Sequence, residues 1–403
     1  MCFHHFHDTL GGTCIPSAYE QVHAQIQQVI AFADESLHYG LRRRLAALSD
    51  DALQRIVLFN ASDAPFDGYI QIEPWLGWRK WREHYRFIDE KDQPVPHQLM
   101  HSEALTNGIA RFVLRIAAGP AGQRILRIDT TGGGDLHAQA STVAPACADG
   151  LGLSNGDVGL SLAAAPGLRL GGPLVVPLPE LHLLEDPSDT WTHVIDRYTE
   201  GPAESARWDA PTVLDTGPLM ASIFQAGAIG HSRLTADWRI YAGEGFVELI
   251  LRIHWMAQRR ILKLVLPMPA PLVRRCDGIP GDELERPPDG RELPLRDRTL
   301  LELSDGRRIG VVCPDVFAID ALPHRVRLTL LRSPLMAHHD PNPGTWPRRT
   351  FSDQGEHEFR FRFFGAATTG ERLDAHALML QRPPIMAELT RGMPTYPYRL
   401  PMA

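Results

Sequence analysis

The 403 residues are enough for two or three domains with substantial cores, and 44% hydrophobic with 22% charged content is ordinary for a soluble globular protein. A formal net charge of −7 excludes a general nucleic-acid binder, whose phosphate contacts need a basic face. Five scattered cysteines (Cys2, Cys14, Cys147, Cys276, Cys313), odd in number and nowhere spaced C-x-x-C, exclude a disulfide framework and a thiolate zinc site. They suggest a reducing, cytoplasmic setting. The opening MCFHHFHDTLGG has neither a basic nor an apolar signal region. No run reaches the roughly 18 apolar residues of a membrane span, so the expected protein is soluble.

In chain order, the first feature is His4-His5-Phe6-His7-Asp8, the densest group of metal donors, followed by Gly11-Gly12-Thr13. A zinc site needs about four ligands, or three plus water. This spacing matches no self-contained zinc motif. Adjacent side chains on an extended segment point in opposite directions, so His7 and Asp8 rarely chelate one ion together. Read alone, the cluster is a His-rich terminal segment.

Apolar positions Val22, Ile26, Val29, Ala33, Leu37, Leu41, Leu45 and Leu48 then recur every three or four residues, predicting an amphipathic helix from Ala18. Ser17 and Glu20 stand in capping-box spacing, and Ser49-Asp50-Asp51 offers a stop. Such a helix cannot bury its own stripe and needs a partner surface.

After Asp51 the period becomes two. RIVLFN, DGYIQIEPW, EHYRFID, RFVLRIAA and QRILRID read as strands between turn residues, giving a small β domain over 51–131. Within it, Phe112, Leu114 and Ile116 share one face, and Arg111 and Arg115 the other. Residues 132–172 are rich in Gly, Ala and Ser, as expected of a linker with irregular loops. Dense strand patterns follow, including FVELILRIHW, RRILKLVLP, RVRLTLL and EHEFRFRFF. Leu262, Leu264 and Leu266 are expected on one face of a core strand. Asp305-Gly306 is a hairpin signal. Phe359, Phe361 and Phe363 alternate with Glu358, Arg360 and Arg362. The expected architecture is mainly β: an N-terminal helical segment (1–50), the small β domain, then a large antiparallel β-sandwich, a supersandwich, over 150–403.

Other candidate sites have two readings each. Asp186, Ser188, Asp189, Trp191 and His193 form either a sugar-facing loop or a polar loop closed by a buried Trp. His338-His339-Asp340 lies in a Pro/Gly-rich segment and reads as solvated loop. Trp75, Trp78 and Trp81 form an aromatic platform for sugar or, more simply, pack in a core. Thr131-Gly132-Gly133-Gly134 lacks the context of a nucleotide-binding loop and reads as linker.

HFHDTLGGTCIPSAYEQVH resembles the segment of glycoside hydrolase family 38 α-mannosidases that reads H-x-H-D-x-[ILS]-x-G-[TC]-x-I. Four further segments resemble the same family in the same order: LFNASDAPFDGYIQI, DQPVPHQ, LEDPSDTWTHVIDRY, and LLRSP followed by DQGEHEFRF. The resemblance covers about 350 residues. It implies a retaining, zinc-dependent α-mannosidase acting on a mannose-containing glycan. By that resemblance His7 is the metal ligand for zinc and Asp8 the substrate-binding contact to sugar hydroxyls. It further implies that the remaining zinc ligands and the nucleophile lie on a catalytic barrel domain that these 403 residues do not include. The expectation is an internal start or a truncation, with the chain inactive unless completed by a separate catalytic-domain chain. A non-catalytic carbohydrate-binding or scaffold module derived from such an enzyme is the alternative.

Overall fold

The computed structural model describes residues 2–399 other than 78, 103–109, 133–143, 164, 194, 340–346, 348, 366–367, 391–392 and 395–397. It is mainly β, with five antiparallel sheets and one long helix.

The helix spans Pro16–Ala46. Pro16 opens it because its missing N–H costs nothing in the first turn. The N-cap is Ile15, with no side-chain cap bond, so the expected Ser17–Glu20 capping box does not form. Only its last turns are anchored. Leu41 and Leu45 are buried against Val57, Phe59, Ile385, Ala387 and Leu389, with Leu37 and Leu48 beside them. Toward the N-terminus the stripe loses its cover: Val22 and Ile26 are half-buried and Val29, Ile30 and Phe32 are exposed.

The surface that holds the helix is one face of a sheet ordered Met393–Pro394, Ile385–Thr390, Gln54–Phe59, Gln123–Asp129, Arg86–Ile88, Pro94–Val95. Gln54–Phe59 is buried on both faces, which is why RIVLF reads as a continuous apolar run. The opposite face packs on a three-stranded sheet of Phe66–Ile72, Phe112–Ala118 and His97–Leu99. Phe112, Leu114 and Ile116 meet Ile56, Leu58, Leu126 and Ile128 there, on the predicted face. Trp81 joins this core, with its ring 4.4 Å from Phe112 and 5.0 Å from Phe87. Trp75 is half exposed, and Trp78 lies outside the described residues.

Ile385–Thr390 thus pairs with Gln54–Phe59, and Met393–Pro394 and Tyr398–Arg399 pair with Ile385–Thr390, rather than with the large sandwich expected over 150–403. The apolar side chains Ile385, Ala387 and Leu389 match the helix-facing side of that sheet, and burying them there closes what is otherwise an edge.

The large sandwich sets a six-stranded sheet and a ten-stranded sheet around one core, with a five-stranded sheet over 147–177 joining it. Leu262, Leu264 and Leu266 all point into that core, as do Phe359, Phe361 and Phe363. The hairpin at Ser304–Arg307 joins Arg298–Leu303 to Arg308–Val312. Gly306 there takes φ +81, a conformation that favours glycine. Arg362 departs from the simple alternation. It is buried, donating to Glu248 at 2.8 Å and to His376 Nδ1 at 3.0 Å. A helix at Gly370–Gln381 carries that histidine over the outer face of the strand.

Two family-like motifs act as clips between layers. Asn60 donates to the Ala64 and Gly119 carbonyls and accepts from Ser62 N, which fixes the turn after its strand. Gln98 accepts from the backbone N–H groups of Leu219 and Met220 and donates to the Met220 carbonyl. This satisfied buried amide binds the three-stranded sheet to the sandwich.

Candidate functional site

His7 and Asp8 sit in a single helical turn, His7–Leu10, just before the long helix. A backbone knot holds that turn. The Asp8 carbonyl accepts from Thr13 Oγ1 at 3.1 Å and Cys14 Sγ at 3.1 Å, and Tyr19 Oη donates to the Thr9 carbonyl at 3.0 Å. The side chains face outward, His7 72% and Asp8 49% exposed, with His7 Nε2 3.5 Å from Asp8 Oδ1. His4 instead bonds Gln25 at 2.8 Å. Among the described residues, His7 and Asp8 belong to no group of three or more possible metal donors. Zinc needs about four ligands, or three and a water. Two exposed side chains of this kind do not make that site by themselves.

A second polar centre lies at one end of the large sandwich. Strands Glu180–Glu185 and Arg325–Arg332 both pair antiparallel with Arg260–Pro267, so they run in the same direction. Glu185 lies opposite Arg260 and Arg332 opposite Ile261, so the loops that follow both strands emerge side by side. The loop that begins at Asp186 carries Ser188, Asp189, Trp191 and His193; the loop after Arg332 carries His338 and His339.

Arg332 binds these loops together. Its Nε donates to Asp186 at 2.8 Å, and its Nη2 donates to Ser188 Oγ at 2.5 Å and to the Asp189 carbonyl at 2.6 Å. Asp186 also accepts from Ser188 Oγ at 2.5 Å. Such charge-assisted contacts make the buried Asp186 carboxylate tolerable away from water. Asp189 Oδ1 accepts from the backbone of Trp191 at 3.0 Å and of His193 at 3.4 Å, while Oδ2 lies 2.9 Å from His193 Nδ1. Thr190 locks the second loop: its N donates to the His338 carbonyl at 3.2 Å, and His338 N donates to its Oγ1 at 3.1 Å.

Trp191 is 46% exposed, so the reading of a polar loop closed by a buried Trp is corrected. The solvated-loop reading of His338-His339 misses their docking onto the first loop, where the His339 ring lies 4.6 Å from that of His193. Asp340 lies outside the described residues, as do Gly133 and Gly134. The sequence signal for this pairing was the presence of two His/Asp-rich loops after two strands of similar pattern, which carries no information on their adjacency.

The fold is a large antiparallel β-sandwich that carries this loop pair at one end. Residues 180–342 match the family model described as "Glycosyl hydrolases family 38 C-terminal domain". Among curated protein sequences, none matches the chain. A structure of a protein in glycosyl hydrolase family 38 from Enterococcus faecalis superposes with TM-score 0.71 at 12% identity, covering 96% of this chain and 54% of that one. An alpha-mannosidase from Enterococcus faecalis V583 gives TM-score 0.61 at 13% identity, covering 85% of this chain and 46% of that one. The chain therefore spans about half the length of these relatives. Residues 180–342 thus match the C-terminal domain of that family, and the chain as a whole shares the fold of these structures. No helix of the described residues is long and apolar enough to cross a membrane.

Proposed function

We propose that the chain is the central and C-terminal portion of an α-mannosidase that acts on terminal α-mannosides of a glycan. In this reading it contributes His7 as a zinc ligand and Asp8 as a sugar contact to a site completed by a catalytic segment outside these 403 residues. The observation that carries it is the placement of the HFHD turn. The backbone there is fixed by three bonds onto Asp8 and Thr9, yet both functional side chains project to solvent at the uncovered end of an apolar helix stripe. A contiguous apolar surface of this kind on a soluble protein marks an interaction site. The exposed Phe3, Phe6, Ile15, Val29 and Phe32 flank the same segment.

A retaining glycosidase needs two carboxyl groups about 5–5.5 Å apart across the scissile bond. In this reading Asp8 is the sugar contact, and the nucleophile comes from the completing segment. Zinc binding at His7 and the mannose-containing partner rest on the same reading, while a cytoplasmic setting rests on the scattered free cysteines. The alternative, a binding or scaffold module, gives the ordered HFHD turn no task.

The test is turnover of an aryl α-mannoside by the 403-residue chain alone and after addition of a family 38 catalytic segment, in cis or in trans. The reading expects no turnover above the blank for the chain alone and zinc-dependent turnover once completed. Turnover by the chain alone overturns it.

A further inference from the structure

We propose that Asp189, His193 and His339 form a separate binding site for a zinc-class divalent cation, at the end of the large sandwich where two loops meet. One donor atom from each of the three lies within 4.8 Å of the other two. Those distances are close to what three ligands of one ion require, given metal–ligand bonds of about 2.0–2.2 Å.

The donor set selects the ion. Two imidazole nitrogens and one carboxylate oxygen suit zinc and neighbouring late first-row dications. Calcium and magnesium favour all-oxygen shells and find only one such side chain in the trio. Three protein ligands leave coordination positions for water, as in open zinc sites.

The site is built rather than incidental. The Asp189 side chain is 1% exposed, and His193 is 51% exposed. A buried anion therefore lies at the back, with the imidazoles at the mouth where a hydrated ion arrives. The Asp189 carboxylate is oriented by two backbone N–H groups on Oδ1, leaving Oδ2 turned toward His193 Nδ1. Hydrogen bonds of this kind are what orient the carboxylate ligands of metal sites. The second loop is registered on the first by the reciprocal Thr190–His338 bonds and by Thr190 Oγ1 donating to the Leu335 carbonyl at 2.7 Å. Thr192, next to His193, and Ala337, two residues before His339, adopt φ +54 and +53. Non-glycine residues adopt that region only where the surroundings fix it.

An Asp–His hydrogen bond accounts for two of the three groups. A third donor delivered by a loop 146 residues further along the chain is what points to an ion. This site does not rest on the mannosidase reading and does not involve His7 or Asp8.

The experiment is competition of the full 403-residue chain with a chromophoric chelator for zinc, joined to the visible spectrum with cobalt(II). The expected result is one equivalent bound by the parent protein. His193→Ala and His339→Ala should each weaken it by at least about tenfold, the lower end of what even outer-shell losses cost. Zinc should raise the melting temperature of the parent and not of the two variants. Both histidines are exposed, and an unchanged metal-free melting temperature shows that each variant is folded. Absence of binding, or equal binding by parent and variants, overturns the proposal.

Discussion

Arg332 donates its Nε–H to Asp186 at 2.8 Å and so joins two segments 146 residues apart. Asp186 is fully buried, whereas Arg332 keeps about a fifth of its side chain in solvent. Removing the arginine strands the carboxylate and also takes a donor from Ser188 and from the Asp189 carbonyl. Arg332→Ala should therefore lower the unfolding free energy by about 3–5 kcal/mol, the scale of a broken buried pair. Lysine cannot reproduce the forked contacts, so Arg332→Lys should recover only part of the loss. Urea unfolding of the two variants checks this, and a loss below about 1 kcal/mol for alanine counts against the role given to the pair.

The long helix should divide into an anchored and a loose part. Most helical stability in proteins comes from packing an apolar face, and here only Leu41 and Leu45 are buried. Amides in the first four turns should exchange with solvent deuterium much faster than those around Leu41–Ala46. Leu45→Ala should cost about 2–5 kcal/mol, as buried Leu→Ala changes do, and Val29→Ala less than about 0.5 kcal/mol as a surface change. Uniform protection along the helix would contradict this division.

Glu388 should make stability depend on pH near neutrality. Burial pushes its carboxyl up to about 7, against the opposing effect of hydrogen bonds from Trp75 N and Gln54 Nε2. The unfolded chain loses that proton near pH 4.5, so between there and about 7 the folded state holds more protons. Its contribution is complete at low pH and declines as pH rises through about 7. Glu388→Gln keeps an acceptor for Trp75 without the charge. It should be near neutral at pH 5 and stabilising at pH 8 by about 1–3 kcal/mol. Thermal melts at the two pH values check this; the same shift at both rules out the titration.

What the sequence made legible is what short-range periodicity encodes. The alternation in EHEFRFRFF put Phe359, Phe361 and Phe363 into the core, and Asp305-Gly306 marked its hairpin because the turn needs a residue at positive φ. The helix was visible from its spacing, but its start was misplaced, since Ser17 offered a cap that Ile15 and Pro16 pre-empt. The helix Gly370–Gln381 escaped notice because it is short and its inward stripe of Leu373, His376 and Ala377 includes a histidine. Its Thr369 cap, accepting from Arg372 N, was the available signal.

Pairing between remote segments was not legible. Nothing local in IMAELT says that it joins a strand some 330 residues earlier. The same holds for the loop pair. The polar character of 186–193 and of 338–339 was plain, but their meeting depends on the registers of three strands through Arg260–Pro267. Five family-like segments carried the resemblance through their order along the chain, and two stretches of them, 184–198 and 330–334, lie within the matched residues 180–342.

We propose that His7 and Asp8 belong to a catalytic site completed from outside these 403 residues, and the most direct test is kcat/KM on an aryl α-mannoside for the completed enzyme and its His7→Ala and Asp8→Asn variants. Both side chains are exposed in the chain alone, so neither change should disturb its folding. Each variant should lose at least about 100-fold, the scale of a lost transition-state contact, with the melting temperature of the chain unchanged. Full activity in either variant would contradict it.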